Sequence, residues 1–259
     1  MRGRYYTGFA VRARGSPVRC ASNDRAQTRH MTHRLYGLIP AAGTGARLGG
    51  ETPKQYLPLA GEAIIVHAVR ALLTHPDIDT VFVVLTPGDS RFGEIGWGEH
   101  ADRVAPLYCG GPTRRDSVLN GLRAVRNLVE PDDWMLVHDA ARPGLTAEDL
   151  ARLIDGVRDD DVGGILAVPL ADTLKRADGG QRIVATAPRE NLWRAQTPQM
   201  FRYGTLLRAL DNAPEATDES GAVEQLGMQP KLILGSARNM KITYPGDMAT
   251  AERLLQGRS

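Results

Sequence analysis

An apolar run, Leu35 to Pro40, passes straight into a glycine-punctuated turn: Ile39 to Gly50 read IPAAGTGARLGG, and Pro53-Lys54-Gln55 follow closely. Gly43, Gly45, Gly49 and Gly50 can take positive φ, so successive backbone N–H groups can approach a ligand and point at phosphate oxygens. Arg47 adds a planar guanidinium fork and Lys54 a point charge on a flexible stem, a pair suited to a triphosphate. The spacing is not G-x-x-x-x-G-K-[ST], because no Lys-Ser/Thr pair follows the glycines, and it is not G-x-G-x-x-G. Walker-type ATPases and Rossmann dehydrogenases are therefore disfavoured. A turn that only reverses the chain would account for the glycines alone, but not for the two basic residues beside them.

From Leu35 onward, apolar strands alternate with helical patterns. Leu35 to Pro40, Val81 to Thr86, Trp134 to His138 and Gly164 to Val168 read as short buried strands, with Lys231 to Leu234 and Met240 to Thr243 as later ones. Helical spacing covers Ala63 to Leu73, Asp116 to Val129, Ala147 to Val157, Phe201 to Asn212, Glu219 to Leu226 and Met248 to Gln256. Thr146 and Asp218 are start signals for two of these helices. Such βαβα order predicts an α/β fold, a Rossmann-like, mainly parallel twisted sheet with helices on both faces. Ligands of such sheets bind beyond the carboxyl ends of the strands, where the glycine turn falls.

The stretch Asp172 to Gln199 breaks the rhythm. It holds a DGG turn between two extended, partly polar runs, the pattern of a hairpin. A two-stranded arm of this kind is marginal alone and needs a partner surface.

The first 33 residues also stand apart. They are rich in arginine, with neither an amphipathic period nor a signal-peptide core, and are expected to be a disordered extension, leaving residues 34–259 as a single domain with its arm at about 172–199. A transit peptide and an upstream extension before a start at Met31 both fit that composition. A net charge of +2 argues against a dedicated nucleic-acid or membrane binder. Cys20 and Cys109 are the two cysteines and lie far apart, suggesting no disulfide framework or zinc site and a cytoplasmic home.

Eight segments, in order, carry a family resemblance: PAAGTGARLGGETPKQYLPLAG, PGDSRF, GGPTRRDSV, VHDAARP, DTLKR, LWRAQTPQ, TDESGAVE and NMKIT. Together they resemble the 2-C-methyl-D-erythritol 4-phosphate cytidylyltransferases, a branch of the sugar-nucleotide-type nucleotidyltransferases, over everything after about Arg34. The resemblance implies transfer of CMP from CTP to methylerythritol phosphate, with release of pyrophosphate, in the non-mevalonate supply of isoprenoid precursors. It also implies a homodimer in which the arm of one copy clasps the other. A cytidylyltransferase for another polyol phosphate such as ribitol 5-phosphate, or a non-catalytic nucleotide-binding module, would share several of these segments.

Residue by residue, the resemblance places Ala41, Ala42, Gly43 and Gly45 along the nucleotide, with Arg47, Lys54 and Lys241 on the phosphates as the catalytic group. Gly110, Gly111 and Ser117 match the cytosine contacts, since a Gly-Gly backbone and a hydroxyl can read a pyrimidine edge. Arg114 matches as well, although pairing with a nearby acid would explain it equally. Asp139 and Ala140 follow the strand Leu136-Val137-His138. A carboxylate at that strand end suits Mg²⁺ or another divalent cation, and a turn or N-cap role suits it too. Asn239 is a weaker second metal candidate, and His138 reads as structural. Thr173, Arg189, Thr197 and Thr217 match positions around the acceptor phosphate, with Arg189 expected from the neighbouring copy; Arg142 matches a position that faces substrate phosphates, and Asp172 one that would orient the cluster or bond sugar hydroxyls. Ala46 stands where relatives often carry another basic residue, which would load more of the triphosphate onto Arg47 and Lys54.

Overall fold

The computed structural model describes residues 33–43 and 52–257, which belong to one compact unit. Gly45, Arg47 and the extension up to residue 32 lie outside the described residues.

The first element among the described residues is β1 (Leu35–Pro40), whose residues are buried up to its last, as a strand covered on both faces must be. Between β1 and the first helix stand a helical turn at Lys54–Tyr56 and the short strands β2 (Pro58–Leu59) and β3 (Glu62–Ala63). The main alternation follows: α1 (Ile64–Leu73), β4 (Ile78–Val84), β5 (Val104–Leu107), α2 (Arg114–Ala124), β6 (Trp134–Val137), α3 (Ala147–Val157) and β7 (Gly163–Pro169). Strands β8 (Leu174–Ala177) and β9 (Ile183–Ala187) form a separate hairpin. Next come β10 (Trp193–Arg202), α4 (Tyr203–Asn212), α5 (Glu219–Glu224), β11 (Lys231–Leu234) and α6 (Asp247–Gln256).

Among the described residues, seven strands form the central sheet in the order β11-β7-β10-β6-β1-β4-β5. All neighbours are parallel except β10, which runs antiparallel to both β6 and β7. Two apolar layers sandwich the sheet. One packs α1 and α3 through Ile65, Leu72, Leu150 and Leu153, and the other packs α2, α4 and α5 through Val118, Leu122, Leu206 and Val223. The mainly parallel sheet with helices on both faces is as the alternation predicts.

Side-chain caps fix three helix starts: Thr113, Thr146 and Asp218 accept from the N–H groups of Asp116, Asp149 and Gly221. Each meets an N-terminal amide that has no partner within its helix.

The predicted strand Met240 to Thr243 is not one. Within it, Ile242 alone is buried, in a small cluster with Leu59 and Ile64, and its N–H donates to the Ala141 carbonyl at 2.9 Å. One apolar anchor holds the segment in place without a ladder. Strand β5 escapes sequence reading because Pro106 interrupts it, which an edge position tolerates. The hairpin does form, around a turn in which Asp178 Oδ1 accepts from Gly180 and Arg182. The extended run that follows it continues, as the 10-residue strand β10, into the middle of the sheet.

Candidate active site

The carboxyl ends of β1 and β6 open side by side onto a cavity of about 610 Å³. That volume is in the range of small-ligand sites. Its lining forms three walls: Pro40 to Gly43 with Lys54 and Gln55, Gly111 to Arg114 with Ser117, and Asp139 to Ala141 with Lys241 and Thr243.

The second wall is built by close packing. A Cβ on Gly110 would stand 2.2 Å from the Ala42 Cβ and 2.9 Å from the Leu85 carbonyl oxygen, so only glycine lets this loop lie against the first wall. Ser117 on α2 braces the same loop: its Oγ accepts from the Gly111 N–H at 3.1 Å and donates to the Thr113 carbonyl at 3.0 Å. Gln55 ties the helical turn to the first wall by donating to the Ala41 carbonyl at 2.7 Å. Lys54 donates to the Ile242 carbonyl, so its ammonium sits where the first and third walls meet.

At the centre stands Asp139, buried, with Oδ1 accepting from Arg114 Nε at 2.7 Å and Oδ2 facing Lys241 Nζ at 2.8 Å and Arg142 Nε at 3.7 Å. Burial would disfavour its charge, yet Arg114 and then Lys241 outweigh burial and hold the carboxyl far below the ordinary carboxylate range. Arg114 is itself shared. Its Nη1 and Nη2 donate to the two carboxylate oxygens of buried Glu219 at 2.7 and 3.0 Å. Burial opposes the guanidinium charge, but Glu219 and Asp139 together raise its pKa further.

The backbone of Asp139 is fixed by a chain of hydrogen bonds. The ladder between β7 and β10 shifts register between Ala195 and Gln199, and this irregularity carries Thr197 to the end of β6. Thr197 Oγ1 accepts from the Asp139 N–H at 3.0 Å and lies 3.0 Å from His138 Nδ1. His138 Nε2 lies 3.1 Å from the Arg142 carbonyl, which can only accept, so Nε2 carries the proton and Nδ1 takes the Thr197 hydroxyl proton. Gly144 presses the next segment home. A Cβ there would meet the Arg238 carbonyl oxygen at 2.0 Å, so the close approach that brings Lys241 beside Asp139 requires glycine.

His138 has no exposed surface, and burial pushes its pKa down to about 4. The unfolded chain therefore takes up a proton near pH 6.5 that the folded chain refuses until about pH 4. Stability from this group is complete above pH 6.5 and falls as the pH drops through that window, by about 3 kcal/mol. We expect urea midpoints of wild type and His138→Gln to converge between pH 7.5 and 4.5; parallel midpoints across that range would remove the assignment.

The structure gathers at the cleft Ala41, Ala42, Gly43, Lys54, Gly111, Ser117, Asp139, Ala140 and Lys241 of the predicted residues. Gly110 packs against Ala42 without lining it. Arg142 is turned inward, donating to the Asn239 carbonyl at 2.7 Å, and Thr197 is spent on orienting Asp139. Asn239 is buried off the wall, donating through Nδ2 to the Thr197 carbonyl while its Oδ1 has no partner. Asp172, Thr173, Arg189 and Thr217 are exposed and line no part of this cavity, and Arg189 donates to the Ala171 carbonyl of its own chain. Sequence reading missed Glu219 as a site residue. Nothing local marks it, because its partner Arg114 lies 105 residues away. It also gave no role to Thr243, Thr113 or Gln55, although Gln55 stood within the Pro-Lys-Gln trio.

As for a metal, Asp139 is the one carboxylate on the wall among the described residues, and no three acids, histidines or cysteines gather there as a protein-only cage. One carboxylate beside ligand phosphates fits the way Mg²⁺ is commonly held.

The family model for 2-C-methyl-D-erythritol 4-phosphate cytidylyltransferase (IspD) matches residues 35–257. The protein of that name from Azoarcus sp. strain BH72 is 52% identical over 226 residues, covering 87% of this chain and 96% of the relative. Its counterpart from Nitrosomonas eutropha is 53% identical, covering 87% and 98%. Among solved structures, a 4-diphosphocytidyl-2C-methyl-D-erythritol synthase aligns with a TM-score of 0.77 at 41% identity, covering 87% of this chain and 99% of that one. The Thermus thermophilus cytidylyltransferase aligns at 0.71 and 31%, covering 86% and 99%.

Proposed function

The chain belongs to the 2-C-methyl-D-erythritol 4-phosphate cytidylyltransferase family, and from that premise we infer how its cleft carries out the family's reaction. It is a nucleotidyltransferase that transfers CMP from CTP to 2-C-methyl-D-erythritol 4-phosphate in isoprenoid precursor synthesis, giving 4-diphosphocytidyl-2-C-methyl-D-erythritol and pyrophosphate. A phosphate oxygen of the acceptor attacks the α-phosphorus of CTP, and the α–β bridging oxygen leaves with pyrophosphate.

The observation that carries the mechanism is the meeting of Arg114 and Lys241 on Asp139, with Lys54 lining the same cavity, at the open ends of β1 and β6. In phosphoryl-type transfer the protein mostly positions groups and stabilises charge, and fixed cations in a cleft do both. The Ala41 to Gly43 backbone and Lys54 take the triphosphate side, while Gly111 and Ser117 take the cytosine; Arg47, outside the described residues, is assigned to the triphosphate by the family resemblance. Lys241, half exposed and tethered to Asp139, reaches the acceptor phosphate. Asp139 would hold Mg²⁺ or another divalent cation, which when bound would neutralise phosphate charge beside the reacting centre. No general base is needed, because a phosphate monoester is already largely ionised at neutral pH. Neutral, buried His138 is accordingly structural.

The acceptor side is completed by a second copy. The hairpin β8–β9 and its flanks expose Ile183, Val184, Leu192 and Trp193, an apolar surface of the kind that marks an interaction site. Asp172, Thr173 and Arg189 sit at the base of the same arm. Pairing of arms would bury the apolar surface and carry Arg189 to the partner's cleft. Shortening the arm to a direct Ala171-to-Leu192 turn should convert a dimer to a monomer in sedimentation and lower turnover about 100-fold; a dimer persisting after the deletion would refute the clasp. The two widely spaced cysteines support a reducing, cytoplasmic setting, and among the described residues no helix is long and apolar enough to cross a membrane.

The function is tested by pyrophosphate release from CTP and Mg²⁺, with methylerythritol phosphate and ribitol 5-phosphate offered separately. Release is expected with the first acceptor. Preference for ribitol 5-phosphate would overturn the acceptor, and silence with both would overturn the reaction.

A further inference from the structure

Glu219 lies outside the cleft wall, yet it is fully buried at the first position of α5 and spends both carboxylate oxygens on one guanidinium. Arginine prefers to grip a carboxylate with two parallel N–H bonds. Two carboxylates compete here for that grip, and Glu219 takes it, leaving Asp139 with the Nε contact at 2.7 Å. Were Glu219 neutral, the fork could turn onto Asp139 and occupy both of its oxygens, displacing Lys241 from Oδ2. Resting on the transferase reading above, we propose that Glu219 is a positioning residue for cytidylyl transfer: by holding the Arg114 fork it keeps one oxygen of Asp139 available to Lys241, whose ammonium is thereby held in place for the reacting phosphates. It also links the start of α5, two residues beyond Thr217, to the nucleotide side of the cleft at α2. A salt bridge kept for stability alone is weak design, because a buried pair can be replaced by apolar packing at little cost.

The test is steady-state kinetics of Glu219→Gln, which keeps the shape and removes the charge, with thermal unfolding measured alongside. Turnover should fall about tenfold, with the KM for CTP and for acceptor within about twofold of wild type. In an Arg114→Met background the same change should lower kcat no further, because Glu219 acts through Arg114. A lowered Tm with unchanged kcat, or losses that multiply independently of Arg114, would overturn the proposal. Should Glu219→Gln not fold, Glu219→Asp decides: it shortens the reach, so kcat should fall about threefold, and an unchanged kcat overturns the role. Wild type that releases no pyrophosphate with either acceptor overturns the transferase reading and this role with it; an active wild type with an equally active variant overturns the role alone.

Discussion

Asp139→Asn is expected to lower kcat about 1,000-fold, or ~4 kcal/mol of transition-state stabilisation, while the protein remains folded. The neutral amide keeps the volume and the N–H bond to Thr197 but removes the charge that Arg114 and Lys241 converge on. Lys241 then loses its tether and Arg114 its Nε ion pair, and the cleft loses the carboxylate able to hold a divalent ion. Breaking a buried pair this way also costs about 3 kcal/mol of stability, so a lower Tm should accompany the kinetic loss. The comparison must therefore be made well below the variant's unfolding temperature. A folded Asp139→Asn protein with kcat within about fivefold of wild type would remove Asp139 from the chemistry and leave it a turn residue.

Lys54→Met should cost about 100-fold in kcat and no more than about threefold in the KM for CTP. Methionine retains much of the apolar stem and deletes the ammonium. The split follows from where Lys54 stands: the Ile242 carbonyl holds its ammonium at the junction of two walls, facing the same space as Asp139 and Lys241. A charge fixed there is aimed at oxygens whose negative charge grows in the transition state, and interactions that strengthen only then raise kcat. If the loss falls wholly on KM, Lys54 binds ground-state triphosphate and does nothing more. The two variants probe opposite signs of the same charge cluster, so combining them should give less than the product of their separate losses.

Sequence alone made several features legible because each depends on residues close together in the chain. The βαβα alternation follows from side-chain period, the caps at Thr146 and Asp218 from a side chain meeting amides three residues on, and the hairpin from its DGG turn. The Ala41 to Gly43 start of the glycine turn and the carboxylate at the end of β6 are local patterns as well, and parallel strands deliver both to one end of the sheet. Asp172, Thr173, Arg189 and Thr217, by contrast, came from family resemblance, and one chain does not bring them to the cavity wall.

What the tertiary structure decided is which distant groups meet. No local pattern tells that β10 enters the sheet antiparallel between β6 and β7, or that its irregular register delivers Thr197 to Asp139 from 58 residues away. Nor could it show that Arg114, plausible beforehand either as a ligand contact or as an ordinary ion-pair partner, joins Asp139 and Glu219 from 25 and 105 residues away. Local sequence sets backbone period, turn chemistry and residue type, all of which act over a few residues. The pairing of charges remote in the chain depends on strand order and register, and these are settled only when the two apolar layers close over the sheet.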